Sequence, residues 1–153
     1  MANTYTQIHL HLVFAVQNRI SLIHDSWKSR LHEYLTAIVH NHKHKMIAIN
    51  SIPDHLHLVI GMRPMQAVSD LLFELKRDSS RWINKNNFVK GRFQWQDGYG
   101  AFSVAKSNLP DLVKYVQNQE IHHSSIPFLE EYKSLLNEFD VNFDERYLFR
   151  EIE

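Results

Sequence analysis

From Tyr5 to Val16 the chain alternates, with Ile8, Leu10, Leu12 and Phe14 on one side and Gln7, His9, His11 and Val13 on the other. That two-residue period is a strand with one buried face. Trp27, Leu31, Tyr34, Leu35, Ile38 and Val39 then recur at helical spacing behind Asp25 or Ser26, either of which can cap the first turn. Met46 to Ser51 and Asp54 to Gly61 read as two strands joined at a corner carrying Pro53. In the second of them Leu56, Leu58 and Ile60 oppose His55 and His57. A second helix, from about Gln66 to Asn84, turns Val68, Leu72, Leu75 and Trp82 inward and leaves Arg77, Arg81 and Lys85 as an i, i+4, i+8 ridge outside. After the Gly98-Tyr99-Gly100 turn, Ala101 to Ala105 is a fourth strand, and Ser107 or Asn108 with Pro110 opens a helix reaching about His123.

The order βαββαβ predicts an α+β fold, ferredoxin-like or RRM-like, with two helices on one face of an antiparallel sheet and the other face free for ligands. The third helix follows this unit. A C-terminal helix from Pro127 to Glu138 is expected to pack Phe128, Leu129, Tyr132, Leu135 and Leu136, and Tyr147, Leu148 and Phe149 to finish the core or a dimer interface. With no internal repeat or linker, residues 1–153 read as one domain, a length sufficient for its own core.

Composition narrows the chemistry by exclusion. The chain has no cysteine, which removes disulfide frameworks, thiolate zinc sites and catalytic thiols, and fits a reducing cytoplasm. No signal peptide or membrane-spanning stretch is evident, and no G-x-x-x-x-G-K-[ST] phosphate loop, so neither membrane nor nucleotide cofactor is expected. Lys plus Arg equals Asp plus Glu at 17 each, an unusual balance for a nucleic-acid binder. The charges are segregated, however: basic residues predominate from Lys76 to Arg92 and acidic ones from Phe128 to Glu153. The Arg77, Arg81 and Lys85 ridge can therefore be a phosphate-binding surface or simply a solvated helix face. Lys43, Lys45, Lys90 and Arg92 are too scattered to define a site.

Eleven histidines are the other departure, most of them in close pairs. Residues two apart on a strand share a face, so His55 and His57 can present two imidazoles on one side while Leu56 anchors the core. An isolated pair of this kind is ordinarily structural, so a third ligand is required to make a site. Tyr115 and Gln119, at i and i+4 on the third helix, offer a phenol and a hard amide oxygen on one face. A cation polarising a phosphate would make displacement by that phenol feasible, whereas without the histidine pair the two are better read as a half-buried tyrosine and a surface amide. His9 and His11 would line the same face as His55 and His57, as groups supporting the ligands, as phosphate contacts, or as a competing metal site. His122 could carry a proton or cap the last turn. Trp95 and Tyr99 could stack on unpaired bases or pack under the glycine turn.

Pro53-Asp54-His55-Leu56-His57-Leu58-Val59, Lys114-Tyr115-Val116-Gln117-Asn118-Gln119 and the supporting run Phe93 to Ser103 together resemble the HUH single-tyrosine transposases of small bacterial insertion sequences, the IS-two-hundred-like peel-and-paste group. The resemblance runs nearly end to end. It implies His55, His57 and Gln119 as ligands of magnesium or manganese and Tyr115 as the nucleophile that keeps a 5′ phosphate and releases a 3′ hydroxyl. It also implies single-stranded DNA substrates with hairpins near the element ends, and a homodimer whose tyrosine helix can complete the partner's site. The alternatives are a host-adopted HUH nickase acting on repeats, a noncatalytic module binding single-stranded nucleic acid on an open sheet face, and, more remotely, a metal-dependent hydrolase that uses water.

Overall fold

The structure is a computed structural model that describes residues 3–122 and 127–142. Its first strand, β1 (His9–Ala15), leads into helix α1 (Asp25–Asn41), strands β2 (Lys45–Ile52) and β3 (His55–Gly61), helix α2 (Val68–Lys85) and strand β4 (Gly100–Ser103). Helices α3 (Leu109–Gln117), α4 (Gln119–His122) and α5 (Phe128–Glu138) follow. The four strands form one antiparallel sheet in the order β2-β3-β1-β4, so the expected βαββαβ ferredoxin-like arrangement is present, with the two histidine-bearing strands at its centre. The first strand is shorter than the alternation predicts. Residues 3–8 are exposed, and the pairing of β1 with β3 ends at His9 opposite Gly61.

One sheet face meets α1 and α2. Leu12 and Phe14 of β1 and Leu56, Leu58 and Ile60 of β3 pack there with Leu31, Leu35, Leu71, Leu72, Leu75 and Ile83 in the main core. Helix α1 begins without the predicted side-chain cap: His24 stands at its N-cap, and Asp25 instead places its charge in the first turn, where it complements the helix dipole. Trp82 is half-buried, stacked on Tyr34 with ring centroids 4.6 Å apart, while Leu71 and Ile83 take the fully buried positions.

The opposite face is not open. Val59 and Ala48 pack with Val116 of α3, and Val13, Ala15 and Phe102 pack with Phe128, Tyr132 and Leu136 of α5. Between its histidines this face carries Val13, Ala15 and Val59, and leaving those apolar groups in water would forgo about 25 cal/mol for each Å² that can be buried. Two helices cover them, and the histidines go under with them. The single long helix expected from Ser107 or Asn108 to His123 is interrupted at Asn118. Asn50 of β2 donates from Nδ2 to the carbonyls of Val116 (2.9 Å) and Gln117 (3.3 Å), taking up acceptors that the end of α3 leaves without intrahelical partners. Among the described residues no helix is long and apolar enough to cross a membrane. His123, Tyr147, Leu148 and Phe149, and the side chain of His122, lie outside the described residues.

Candidate active site

The central strands set out the site. Antiparallel pairing puts Ala15 opposite His55 and Val13 opposite His57, which leaves His11 diagonal to His57 on the same face. His55 and His57 are both fully buried, with ring centroids 5.1 Å apart and planes inclined by 71°. Each imidazole is oriented through one nitrogen. Asp54 Oδ1 lies 2.7 Å from His55 Nδ1, and Asp54 is itself held by Arg19 at 3.0 Å. His11 Nε2 and His57 Nδ1 share a hydrogen bond of 2.8 Å. The remaining nitrogens, Nε2 of both rings, face a common space, an arrangement in which outer groups fix the orientation of potential metal ligands.

Glu131 of α5 fills the third corner. Its Oε1 is 3.1 Å from His57 Nε2 and 3.8 Å from His55 Nε2, and one ligand atom from each of the three residues lies within 4.8 Å of the others. Its Oε2 accepts a hydrogen bond from the Tyr115 hydroxyl and lies 3.4 Å from Gln119 Nε2. Phe128, one turn earlier, stacks on His55 with centroids 4.0 Å apart, and the Arg19 guanidinium sits 4.9 Å from the Phe128 ring centre. Gln119 is fully buried, and its Oε1 has no hydrogen-bond partner among the described residues.

Electrostatics follow from burial. The Tyr115 phenol is pushed well above the usual tyrosine range, first by loss of water and then by the charge and hydrogen bond of Glu131. His11 is lowered to about 3 by burial and by its neighbour His57, so it is neutral at pH 7. Burial would raise Asp54, but its bonds to His55 and the Arg19 charge outweigh that and hold the carboxyl below the usual range. A cavity of about 590 Å³ opens beside Tyr115, with His11, Ser103, Asn108, Asp111 and Glu131 among its walls.

The structure thus brings together four of the residues singled out from sequence, His55, His57, Tyr115 and Gln119, and adds His11 behind them. His9 is half-buried opposite Gly61 and, among the described residues, takes no part in the network. Glu131 is the member that no sequence motif singled out, its helix being expected only to pack apolar residues. A signal was present: Glu131 falls on the apolar face of its own helix, three residues after Phe128 and one before Tyr132. The Arg77, Arg81 and Lys85 ridge lies on α2, on the far side of the sheet from the histidines. Arg77 pairs with Asp78 at 2.9 Å and lies over Phe73, while Arg81 lines a shallow pocket with Asn84, Gly91 and Arg92. Trp95 is a core residue, edge-on to Phe14 and donating to Ser79 Oγ at 2.9 Å, and Tyr99 packs against the same core, so both lie under the glycine turn.

Residues 4–119 match the family described as "Transposase IS200 like". The ISDra2 transposase TnpA of Deinococcus radiodurans is 25% identical over 118 residues, 74% of this chain and 84% of that protein. The fold is similar to a crystal structure from Deinococcus radiodurans described as that of a transposase, with a TM-score of 0.63 and 22% identity over 78% of this chain and 95% of the other. It is also similar to a REP-associated tyrosine transposase bound to a REP hairpin, with a TM-score of 0.62 and 13% identity over 82% of this chain and 74% of the other. With the family match spanning all four strands and the whole of the tyrosine-bearing helix α3, the chain belongs to the IS200-like family of transposases.

Proposed function

We propose that this transposase cuts and rejoins single-stranded DNA at the ends of an insertion sequence, with Tyr115 as nucleophile. The observation that carries the proposal is the hydrogen bond from the Tyr115 hydroxyl to Glu131, whose other oxygen lies on His57: phenol and histidine pair belong to one buried site. In cleavage, Tyr115 Oη would bond to the scissile phosphorus as the bond to the 3′ oxygen breaks. The phenolic proton ends on that oxygen as a 3′ hydroxyl, and the 5′ phosphate remains on Tyr115. Attack by a 3′ hydroxyl on the same phosphorus reverses the step, reseals the strand and returns the proton to the phenol. The ester conserves the energy of the broken link, so no nucleotide is consumed.

The oxygens of the donor set, the Glu131 carboxylate and the Gln119 Oε1 that lacks a hydrogen-bond partner among the described residues, suit a hard divalent cation beside the two imidazoles, and the family resemblance makes that ion magnesium or manganese. His55 and His57 would hold it with an oxygen from Gln119 or Glu131. When bound, such an ion supplies positive charge for the phosphate oxygens and offsets the field that keeps Tyr115 neutral. His11 and Asp54 would orient the two imidazoles. Arg77, Arg81 and Lys85 are assigned to the DNA backbone, and a homodimer is part of the same reading.

A host-adopted nickase would share this chemistry and differ in the repeat it reads; the fold likeness to a protein bound to a REP hairpin is what favours it as second choice. A noncatalytic platform is disfavoured because α3 and α5 cover the sheet face such a module would use. The test is incubation with labelled single-stranded DNA from candidate element ends and manganese or magnesium, followed by denaturing electrophoresis. Wild type should give a metal-dependent protein–DNA adduct and Tyr115→Phe none. Adduct persisting in Tyr115→Phe refutes the assignment, and product without adduct would indicate hydrolysis by water.

A further inference from the structure

Helix α5 lies beyond residues 4–119 that match the family, yet it supplies the carboxylate at the centre of the site. Glu131 is 4% exposed, and a carboxylate in that setting persists only when both oxygens are engaged. They are engaged differently: Oε1 faces the histidine pair, and Oε2 accepts from Tyr115. The group is rigid and planar, so placing one oxygen places the other. Its helix is fixed on either side of Glu131, by Phe128 against His55 and by Tyr132 in the cluster with Val13 and Phe102. Gln119 meanwhile turns its donor end, Nε2, toward Glu131 Oε2 at 3.4 Å and the Tyr115 carbonyl at 3.3 Å. An amide NH₂ has no lone pair to give a cation. The opposite orientation would set two acceptors face to face.

We propose that Glu131 is a positioning residue specific to the C-terminal part of this chain, which ties the nucleophile to the cation. Its Oε1 completes the His55 and His57 set in the place that the family resemblance gives to Gln119. Its Oε2 holds the Tyr115 hydroxyl beside that ion, and Gln119 braces the carboxylate. The inference rests on Tyr115 being the nucleophile.

The experiment uses the full chain and manganese alone, titrated by calorimetry without DNA into wild type, Glu131→Gln, Glu131→Asp and Gln119→Ala, followed by adduct formation at saturating manganese. Glu131→Gln keeps the shape and removes the charge, and should weaken manganese binding at least about ten-fold, more than Gln119→Ala does. Glu131→Asp keeps the charge but is one methylene short of spanning both partners. It should retain part of the binding and still form adduct about ten-fold or more slowly, because misplacement of a reacting group by about 1 Å is costly. Should thermal melts show Glu131→Gln unfolded, Glu131→Asp decides by the same split between binding and rate. Wild-type affinity together with wild-type rate in Glu131→Gln or Glu131→Asp overturns the proposal, as does loss of manganese binding in Gln119→Ala alone. Wild type that binds manganese but never forms an adduct refutes the transposition chemistry instead, and the calorimetric comparison still decides whether Glu131 is a ligand.

Discussion

Buried polar side chains in this protein work in oriented pairs, and burial is the first influence on their protonation. His32 on α1 shows the effect away from the candidate site: its Nε2 is 2.8 Å from Ser51 Oγ, and burial, with Lys28 nearby, lowers it to about 4. Between pH 6.5 and about 4 the unfolded chain binds a proton at this position that the folded chain does not. Stability is therefore lost as pH falls through that window. Urea titrations should show that slope flattened in His32→Gln, and an unchanged slope would mean that the acid sensitivity arises elsewhere. The residues of the candidate site differed in how far they could be read in advance. His55 and His57 were legible because strand alternation fixes their common face, and Tyr115 and Gln119 because of their i, i+4 spacing. Glu131 was not singled out, because an acid in an acidic segment resembles solvated surface until its helix is docked with that face inward.

At the scale of elements, docking explains what periodicity did not. The second strand-facing layer, α3 and α5, exists because Val13, Ala15 and Val59 lie among the histidines, and its shape is set by contacts distant in sequence. Asn50 ends α3 from across the fold. Gly100 at the start of β4 lets α5 approach: a Cβ there would lie 2.8 Å from Tyr132 Cε1 and 2.9 Å from Phe102 Cε2. Gly100→Ala is expected to cost about 1–3 kcal/mol through overpacking, measured by chemical denaturation. A cost near zero would show that Tyr132 moves aside freely and that α5 is held less firmly than its packing indicates.

For the molecule as a whole, the sheet divides two surfaces. The histidine site lies under α3 and α5, whereas Arg77, Arg81 and Lys85 lie on α2 behind the sheet, so DNA engaging both must pass around an edge. The equal totals of acidic and basic residues are consistent with such localised contact. Even within the basic stretch the charges are divided, since Lys76 is spent holding the carbonyls of Gln96 and Gly98. Arg81, exposed beside Arg92, is the better candidate for phosphate contact. Arg81→Ala should reduce the slope of log affinity against log salt by about 0.7 for a single strand and about 0.9 for a hairpin stem. An unchanged slope would remove this residue from the DNA surface.

Periodicity is a local property, and the sequence alone therefore determined the strands, the helices, their βαββαβ order and which residues share a face. It also placed the histidine pair and the tyrosine within the family's motifs. Where helices end, which face is covered and which carboxylate meets the histidines depend on contacts between residues far apart in the chain. Glu131 reached the histidines, and Gln119 reached Glu131, only once α3, α4 and α5 had packed against the sheet. Tertiary structure added Glu131, because the burial of three apolar side chains brought its helix over the histidines.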